Sequence, residues 1–211
     1  MKKTVYIVRH GQTDFNLKKI VQGSGVDSSL NDTGREQARL LYEKYKNVPF
    51  EVVLTSALKR TWETVAGFIQ DGIPHEKHPE INEMSWGSHE GKKGTPESIA
   101  EYQLIKDGWG EGKIDGRIGG GESAREMGVR LQKFIDHLPE RKEELMLICS
   151  HGRAMCGLVT LMMGRKINRM NELIHSNTGV WRATLQDDGH WSFDLMNDRT
   201  HLPEVQAVEK W

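Results

Sequence analysis

The sequence predicts an α/β protein, built as a three-layer α/β/α sandwich around a mostly parallel central sheet. Three short apolar runs are typical of buried strands: Thr4–Val8, Glu51–Thr55 and Leu145–Cys149. Helical patterns separate these runs, and strands that alternate with helices favour a parallel sheet covered on both faces. A chain of 211 residues can bury a large core, so we expect one domain over residues 1–211.

The first helical pattern follows two candidate N-caps. Asn31 and Thr33 both precede it, and Thr33 with Glu36 fits a capping box. Its apolar face consists of Ala38, Leu41, Tyr42 and Tyr45.

A second helix and a hairpin are predicted in the C-terminal half. The helix follows Ser123, a candidate cap, and its apolar face consists of Met127, Leu131, Phe134, Ile135 and Leu138. Gly179–Leu185 and His190–Leu195, separated by Asp187-Asp188-Gly189, predict the hairpin. The glycine-rich stretch 86–121 has a weak helical pattern around Thr95–Lys106. We interpret it as a lid or insert of the same domain.

Composition narrows the partners that the protein is expected to bind. The net charge of −1 argues against broad electrostatic binding to nucleic acid or to a membrane surface, so a bound anion must be held by local charge. Cys149 and Cys156 stand in apolar surroundings without a CxxC spacing, which predicts buried, reduced thiols. The apolar run in MKKTVYIV is too short for a signal peptide or a membrane span, so we expect a cytoplasmic protein.

No cofactor and no metal site is expected. His75 and His78 are close in sequence, but no third ligand stands at a sensible spacing, and we interpret this segment as a solvated loop.

Polar residues follow each of the three predicted strands. Arg9-His10-Gly11 follows the first, Ser56 and then Arg60 follow the second, and Ser150-His151-Gly152 follows the third. The carboxyl ends of parallel strands share one edge of a sheet, where ligands bind. Two arginines and two histidines are therefore expected to meet there and to bind a doubly charged anion, most simply a phosphoryl group. Gly152 would allow close approach, and the helix that begins near it would direct free N–H groups at the anion.

These motifs resemble those of the histidine phosphatase superfamily, the phosphoglycerate mutase-like family. The resemblance covers nearly the whole chain in the family's order. It rests on RHGQTDFN (9–16), QGSGVDSSLNDTG (22–34), SALKRTWET (56–64), NEMSWGSHEG (82–91), GES (121–123), SHG (150–152) and NDRTHL (197–202).

The resemblance implies a phosphoglycerate mutase-like fold and a role for each matching residue. His10 would be the nucleophile, and Arg9, Arg60 and His151 would hold the phosphoryl oxygens. Glu83 would be the general acid, with Glu80 and Glu90 as nearby alternatives. Asn16 and Gly152 would also contact the phosphate. Weaker candidates for substrate contact are Gln22, Gly23, Ser56 (equally well a helix cap), Trp86 and Arg117.

The implied activity is a metal-independent phosphatase that forms a phosphohistidine on His10 and acts on a small phosphorylated metabolite. The alternative is a phosphoglycerate mutase, which must hold a bisphosphate and exclude water, and therefore needs extra basic residues above the site. Between Glu83 and Gly121 the basic residues are Lys92, Lys93, Lys106, Lys113 and Arg117, without paired arginines, which favours the phosphatase. A more remote alternative is an inactive module that binds a phosphorylated ligand. The sequence does not indicate an oligomeric state.

Overall fold

The computed structural model describes residues 2–203, and in them a six-stranded sheet carries helices on both faces. Its strands are β1 (Thr4–Arg9), β2 (Val52–Thr55), β3 (His75–Lys77), β4 (Leu145–Ser150), β5 (Val180–Leu185) and β6 (Trp191–Asp198). They lie side by side in the order β3-β2-β4-β1-β5-β6. The first four neighbours in this order are parallel, whereas β5 is antiparallel to both β1 and β6. The mostly parallel sheet is confirmed, and β1, β2 and β4 end at the same edge.

The α-helices of the described residues connect these strands. They are α1 (Asp14–Leu17), α2 (Asp32–Tyr45), α3 (Lys59–Thr64), α4 (Ala66–Gln70), α5 (Pro96–Gly110), α6 (Ala124–His137) and α7 (Gly152–Met162). Short 3-10 helices occupy Pro79–Ile81, Gly87–His89 and Ile167–Glu172. No helix within residues 2–203 has the length and apolar character needed to cross a bilayer.

Alternation along β1 divides the core into two apolar layers. Val5 and Ile7 pack into a cluster with residues of α6 and α7, whereas Tyr6 and Val8 pack on the opposite face with residues of α2 and α4. Side chains alternate between the two faces of a strand, so a buried central strand must supply apolar residues to both layers. Full burial of each such side chain stabilises the fold by roughly 1.5–3 kcal/mol.

Most predicted elements are confirmed with small shifts at their ends. The three predicted strands begin and end within one residue of β1, β2 and β4, and the hairpin is formed by β5 and β6. Ser123 caps α6 in a reciprocal capping box with Glu126. The predicted apolar face of that helix is buried. Cys149 and Cys156 are buried free thiols, as expected.

Two local predictions are wrong. The first is the capping box at α2: the Asn31 side chain accepts from Gly34 N at 2.8 Å, Thr33 lies inside the helix, and Glu36 pairs with Arg39 instead. The second is the loop at His75, because residues 75–77 form the edge strand β3, paired in parallel with β2. His75 Nε2 lies 2.8 Å from Thr55 Oγ1 on that neighbouring strand.

The stretch 86–121 packs into the main core. Its helix α5 is longer than the predicted Thr95–Lys106 segment, and Thr95 is its N-cap. Trp109 has no exposed surface, Ile118 is 2% exposed, and both belong to the cluster that contains Val5. The interpretation of 86–121 as an insert within one domain stays a prediction, which this shared core supports.

Candidate active site

The polar residues that follow β1, β2 and β4 meet at one edge of the sheet. The ring centroids of His10 and His151 are 5.2 Å apart, and Arg60 Nε donates to His151 Nδ1 at 3.1 Å. These two histidines, Arg9 and Arg60 are each at most 5% exposed. The predicted convergence of two arginines and two histidines is therefore confirmed.

The ring of His10 is held in one tautomer. Its Nδ1 lies 2.7 Å from Gly11 O, and because a carbonyl oxygen can only accept, Nδ1 carries the proton. Burial, followed by the positive charges of Arg60 and Arg9, lowers the pKa of His10 well below its usual value. The imidazole is therefore neutral, and Nε2 keeps a lone pair available for nucleophilic attack. The Asn177 side chain fixes the backbone here by donating to His10 O at 2.7 Å.

His151 has the opposite tautomer. Arg60 can only donate, so Nδ1 of His151 accepts and its proton sits on Nε2, which lies 2.8 Å from Ser56 Oγ. Burial and the charge of Arg60 also lower the pKa of His151 well below its usual value. Ser56 Oγ in addition accepts from Leu58 N at 3.1 Å. Ser56 therefore orients a site histidine, whereas its prediction as a helix cap is wrong, because the N-cap of α3 is Leu58 and no side chain of residues 2–203 caps that end.

The guanidinium of Arg60 is held by backbone carbonyls of the loop after α1. Its Nη1 donates to Val26 O at 2.7 Å and its Nη2 to Gly23 O at 3.2 Å. Burial lowers the pKa of Arg60 to about 10, so the group stays charged at neutral pH. Gly23, a sequence candidate for substrate contact, therefore reaches the site through its carbonyl oxygen.

Arg9 packs against the start of α7. Its Nη1 donates to His175 O at 2.9 Å, and a Cβ placed on Gly152 would lie 3.3 Å from its Nε. Glycine at position 152 therefore permits close approach, as predicted, although the group that it admits is the arginine of the protein itself.

Glu83 lies at the N-terminus of α7. Its Oε1 accepts from Ala154 N and Met84 N, both at 2.9 Å, and its Oε2 accepts from Arg153 N at 3.2 Å. The expectation that the first N–H groups of this helix are free for an anion is therefore wrong for residues 153 and 154. Helix N-termini attract negative charge, and here a carboxylate of the chain occupies that position.

Asn16 is 9% exposed and is oriented by a capping box. Its Oδ1 accepts from Thr13 N and Thr13 Oγ1, each at 3.1 Å. Its carboxamide nitrogen makes no hydrogen bond within residues 2–203 and is left to donate to a ligand.

The remaining sequence candidates have structural partners. Gln22 accepts from Ser28 Oγ at 2.5 Å. Trp86 is 8% exposed and packs against Tyr102. Arg117 is not brought to the site, because its guanidinium donates to Glu126 and to Gly121 O.

Glu90, one alternative to Glu83, binds the surrounding backbone. Its two oxygens accept from Trp86 N and Gly25 N, each at 2.8 Å. Its carboxylate thus ties the loop after α1 to the start of the insert.

Three residues near the site were missed at the level of sequence. Asn177 and His175, both in the loop before β5, contact the backbone of His10 and the side chain of Arg9. Arg153 contacts Glu83 through its backbone. Only Arg153 carried a signal, since it directly follows the Ser150-His151-Gly152 motif.

The assembled groups suit phosphoryl chemistry. A neutral imidazole with a free lone pair lies beside two guanidinium groups, and a carboxylate is fixed on the adjacent helix. Among residues 2–203 no group of three His, Cys, Asp or Glu side chains is placed to hold a metal ion.

A family model supports the same conclusion at the level of the whole chain. The model of the histidine phosphatase superfamily (branch 1) matches residues 5–199.

Curated relatives match over nearly their full length. A protein named probable phosphoglycerate mutase GpmB from Erwinia tasmaniensis is 32% identical over 214 residues, which span 97% of each chain. A protein named a probable phosphatase from Schizosaccharomyces pombe is 28% identical over 96% of this chain and 97% of its own. The names of these relatives therefore include both a mutase and a phosphatase.

Solved structures share the fold. The alpha-ribazole phosphatase from Shigella flexneri superposes with a TM-score of 0.81 at 23% identity, over 92% of this chain and 96% of its own. At this identity the likeness concerns the fold alone.

Proposed function

Because the chain belongs to branch 1 of the histidine phosphatase superfamily, we propose that it is a metal-independent phosphatase of small phosphomonoesters that works through a phosphohistidine on His10. The observation that carries this proposal is the hydrogen bond of 2.7 Å from His10 Nδ1 to Gly11 O. It leaves the lone pair of Nε2 free beside Arg60, Arg9 and His151. Cytoplasmic localisation stays a prediction.

In the first step, Nε2 of His10 attacks phosphorus and the bond from phosphorus to the ester oxygen breaks. Glu83 gives its proton to the departing oxygen, so the alcohol leaves neutral. Oε2 is the better-placed oxygen for that proton, since it accepts one hydrogen bond whereas Oε1 accepts two.

In the second step, water attacks the phosphohistidine and the bond from nitrogen to phosphorus breaks. Glu83 takes the proton of the attacking water, which returns the site to its starting state and releases inorganic phosphate. Throughout, Arg9 and Arg60 stabilise the charge on the phosphoryl oxygens. His151 joins them when its Nε2–H donates to a phosphoryl oxygen instead of Ser56 Oγ.

The chemical test traps the intermediate. Protein mixed with a phosphomonoester labelled at phosphorus and quenched in alkali should carry label on His10, whereas an acid quench should remove it, because the P–N bond is acid-labile. His10→Ala should abolish the label, and the matched control His190→Ala, at an exposed histidine, should retain it. Alkali-stable label on the His10→Ala protein would overturn the assignment.

A second test concerns metal independence. Hydrolysis of an aryl phosphate should persist in a strong chelator, because the cationic clamp supplies the charge that a metal ion supplies in many phosphatases. Loss of turnover on chelation with recovery on adding a divalent ion would contradict the proposal. Absence of hydrolysis under any condition would favour the phospho-ligand binding module.

Phosphoglycerate mutase remains the second candidate, because the relative from Erwinia tasmaniensis has that name. Within the insert, Lys113 pairs with Glu111 and Arg117 with Glu126, so neither of these two charges is free for a second phosphate. With a phosphoglycerate as substrate, release of inorganic phosphate is expected. Isomerisation faster than phosphate release would decide for the mutase.

A further inference from the structure

The peptide that joins His10 to Gly11 is fixed at both of its polar atoms. Its carbonyl oxygen accepts from Asn177 Nδ2 at 2.7 Å, and its N–H donates to Thr64 Oγ1 at 2.9 Å. The Thr64 hydroxyl gives its one proton to Arg60 O at 2.7 Å, so toward Gly11 it can only accept. Both side chains are buried, one in the loop before β5 and the other on α3. Two elements that are distant in sequence therefore set the plane of this peptide.

The following peptide, between Gly11 and Gln12, carries the oxygen that orients the nucleophile. Its carbonyl oxygen accepts from His10 Nδ1 at 2.7 Å, and its N–H donates to Oε1 of Gln37 at 2.9 Å. Gln37 is a buried residue of α2. The peptide is trans and therefore planar, with its C=O and N–H pointing in opposite directions. When the side chain of Gln37 fixes the N–H, it also fixes the direction of Gly11 O.

Gly11 is the flexible point between these two peptides. A Cβ on Gly11 would lie 2.7 Å from Gly34 O on α2, so the close packing of this helix requires glycine here. Glycine, however, has the widest choice of backbone conformations of any residue. The hydrogen bonds of Thr64 and Gln37 remove that freedom on either side of Gly11.

The N-terminus of α2 is itself fixed on the same loop. Asn31 N donates to Gln12 O and Asn31 Nδ2 to Gln12 Oε1, each at 3.0 Å. Gln37 lies three residues after Gly34, on the same face of the helix. A docked helix end therefore presents the side chain of Gln37 to the N–H of Gln12.

Resting on the proposed function, we propose that Gln37 and Thr64 are positioning residues for the nucleophile, which hold His10 in the tautomer with the proton on Nδ1. They act through the two peptides that flank Gly11, and neither is assigned a contact with the substrate. The hydrogen bond at one nitrogen of a histidine decides which of the two carries the proton. When Gly11 O turns away, Nδ1 loses its acceptor and the proton moves to Nε2. The lone pair that attacks phosphorus is then lost.

A role limited to stability predicts different results for the same hydrogen bonds. Buried backbone N–H groups need acceptors in any protein, so Gln37 and Thr64 also stabilise the loop after β1. If they did no more, any variant that weakens α2 to the same extent would affect His10 to the same extent. A positioning role predicts that the tautomer of His10 changes only when the acceptor for a flanking N–H is removed.

The experiment reads the tautomer of His10 by NMR of protein labelled with ¹⁵N in its histidines, because a protonated and an unprotonated ring nitrogen have different chemical shifts. The spectrum of His10→Ala identifies the His10 signals among the nine histidines. At neutral pH the wild-type protein should carry the proton on Nδ1. Gln37→Met, which keeps a similar shape without the carbonyl oxygen, should populate the tautomer with the proton on Nε2.

The rate of phosphorylation should change with the tautomer. For Gln37→Met, kcat/KM with nitrophenyl phosphate should fall by about 10- to 100-fold, the range seen when the partner that orients a metal-bound histidine is removed. The inhibition constant of inorganic phosphate should stay unchanged, because Arg9, Arg60 and His151 still hold the phosphoryl oxygens.

Three further variants separate positioning from stability. Ala38→Gly weakens the same helix and leaves the Gln37 contact in place, so the wild-type tautomer and rate should persist. Gln37→Glu keeps an oxygen acceptor at the same position and should retain the Nδ1–H tautomer and most of the rate. Thr64→Val removes the acceptor of Gly11 N–H and should shift the tautomer in the same direction as Gln37→Met. Because it lies on α3, it tests the proposal even if Gln37→Met does not fold.

A Gln37→Met protein with the wild-type tautomer and rate would overturn the proposal, and so would equal shifts in Gln37→Met and Ala38→Gly. A wild-type His10 with its proton on Nε2 would also overturn it. So would a rise in the inhibition constant of phosphate that matches the loss of rate, because the residues that hold the phosphoryl oxygens would then be displaced. A wild-type protein that hydrolyses no phosphomonoester would instead count against the proposed function, and the tautomers would still decide the positioning role.

Discussion

The two histidines of the site are both buried and neutral, but their protons lie on different ring nitrogens. His10 donates from Nδ1 to a carbonyl and keeps a lone pair on Nε2, whereas His151 accepts at Nδ1 and keeps a proton on Nε2. Under the proposed function the first is a nucleophile and the second a donor. One residue beside each ring decides this difference: Gly11 O can only accept, and Arg60 can only donate.

At the scale of single residues, a Glu83→Gln substitution should distinguish the proposed general acid from the residues proposed to hold the phosphoryl oxygens. An alkoxide needs a proton as it leaves, so hydrolysis of an alkyl phosphate should slow by ~10²–10⁴-fold. A nitrophenolate leaves without a proton, so the rate at which the same variant hydrolyses nitrophenyl phosphate should fall much less. Steady-state rates on the two substrates measure the contrast.

Two further variants serve as controls for the Glu83→Gln result. Glu80→Gln, in the neighbouring 3-10 helix, should leave both rates unchanged, and Arg60→Ala should slow both alike because the clamp acts on oxygens that the substrates share. If Glu83→Gln slowed the hydrolysis of both substrates equally, Glu83 would not be the general acid, and Glu80 and Glu90 would be tested in its place.

At the scale of elements, the N-terminus of α7 organises much of the site. Gly152 lets Arg9 approach the helix, and the next two backbone N–H groups fix the carboxylate of Glu83. The same turn directs Arg153 toward α5. Arg9, Glu83 and the insert are therefore connected through one helical turn.

Two glycines of the insert should respond to alanine in opposite directions. A Cβ on Gly121 would lie 2.2 Å from Ser85 O and 2.6 Å from Gly87 N, both backbone atoms, so Gly121→Ala should cost about 1–3 kcal/mol of the free energy of unfolding. A Cβ on Gly108, in α5, would meet the Lys113 side chain at 3.8 Å (Cβ) and 3.9 Å (Cδ), which are ordinary contacts. Gly108→Ala should therefore stabilise the protein by up to about 1 kcal/mol through helix propensity. Urea unfolding of the two variants checks the signs, and a shared sign would contradict the packing described here.

Elements with a strong local pattern were predictable, and those set by distant partners were not. β1, β2 and β4 are short apolar runs, and the polar residues after them could meet only at the shared sheet edge. The edge strand β3 has the sequence His-Glu-Lys, which carries no apolar pattern, and within residues 2–203 it pairs with β2 alone. Asn31 and Thr33 are equally good caps by composition, and the choice of Asn31 follows the tertiary approach of Gly34 to Gln12.

The residues of the site also divide into those that a local pattern predicts and those that are set by distant partners. The histidines and arginines were predictable because each ends a strand, directly follows one or lies in the first turn of a helix. The contact between Glu83 and α7 joins residues about seventy positions apart, so no local pattern reveals that the carboxylate takes the helix N–H groups. His175 lacks any motif, and only burial next to Arg9 and Arg153 distinguishes it.

At the scale of the whole molecule, the fold encloses three neutral histidines at the sheet edge. His10, His151 and His175 are each at most 4% exposed, and burial is the largest cause that lowers the pKa of each below its usual value. In the unfolded chain the same rings have a pKa of about 6.5. Below that pH the unfolded chain therefore binds protons that the folded protein does not, and unfolding becomes more favourable as the pH falls.

The free energy of unfolding should consequently be nearly independent of these groups above pH 7 and should decrease as the pH falls from about 6.5 toward the lowered values. Each histidine contributes a slope of at most about 1.4 kcal/mol per pH unit, so the three together approach about 4 kcal/mol per pH unit once the unfolded rings are fully protonated. Urea unfolding in phosphate-free buffers between pH 8 and pH 5 measures this slope. His75 and His201, whose pKa values burial also lowers, add to the measured slope. His175→Phe removes one group and keeps the contact with Trp181, so its slope should be smaller than that of the wild-type protein by at most about 1.4 kcal/mol per pH unit. A slope identical to that of the wild-type protein would show that His175 is charged inside the fold. That result would contradict the lowered pKa that burial gives this ring.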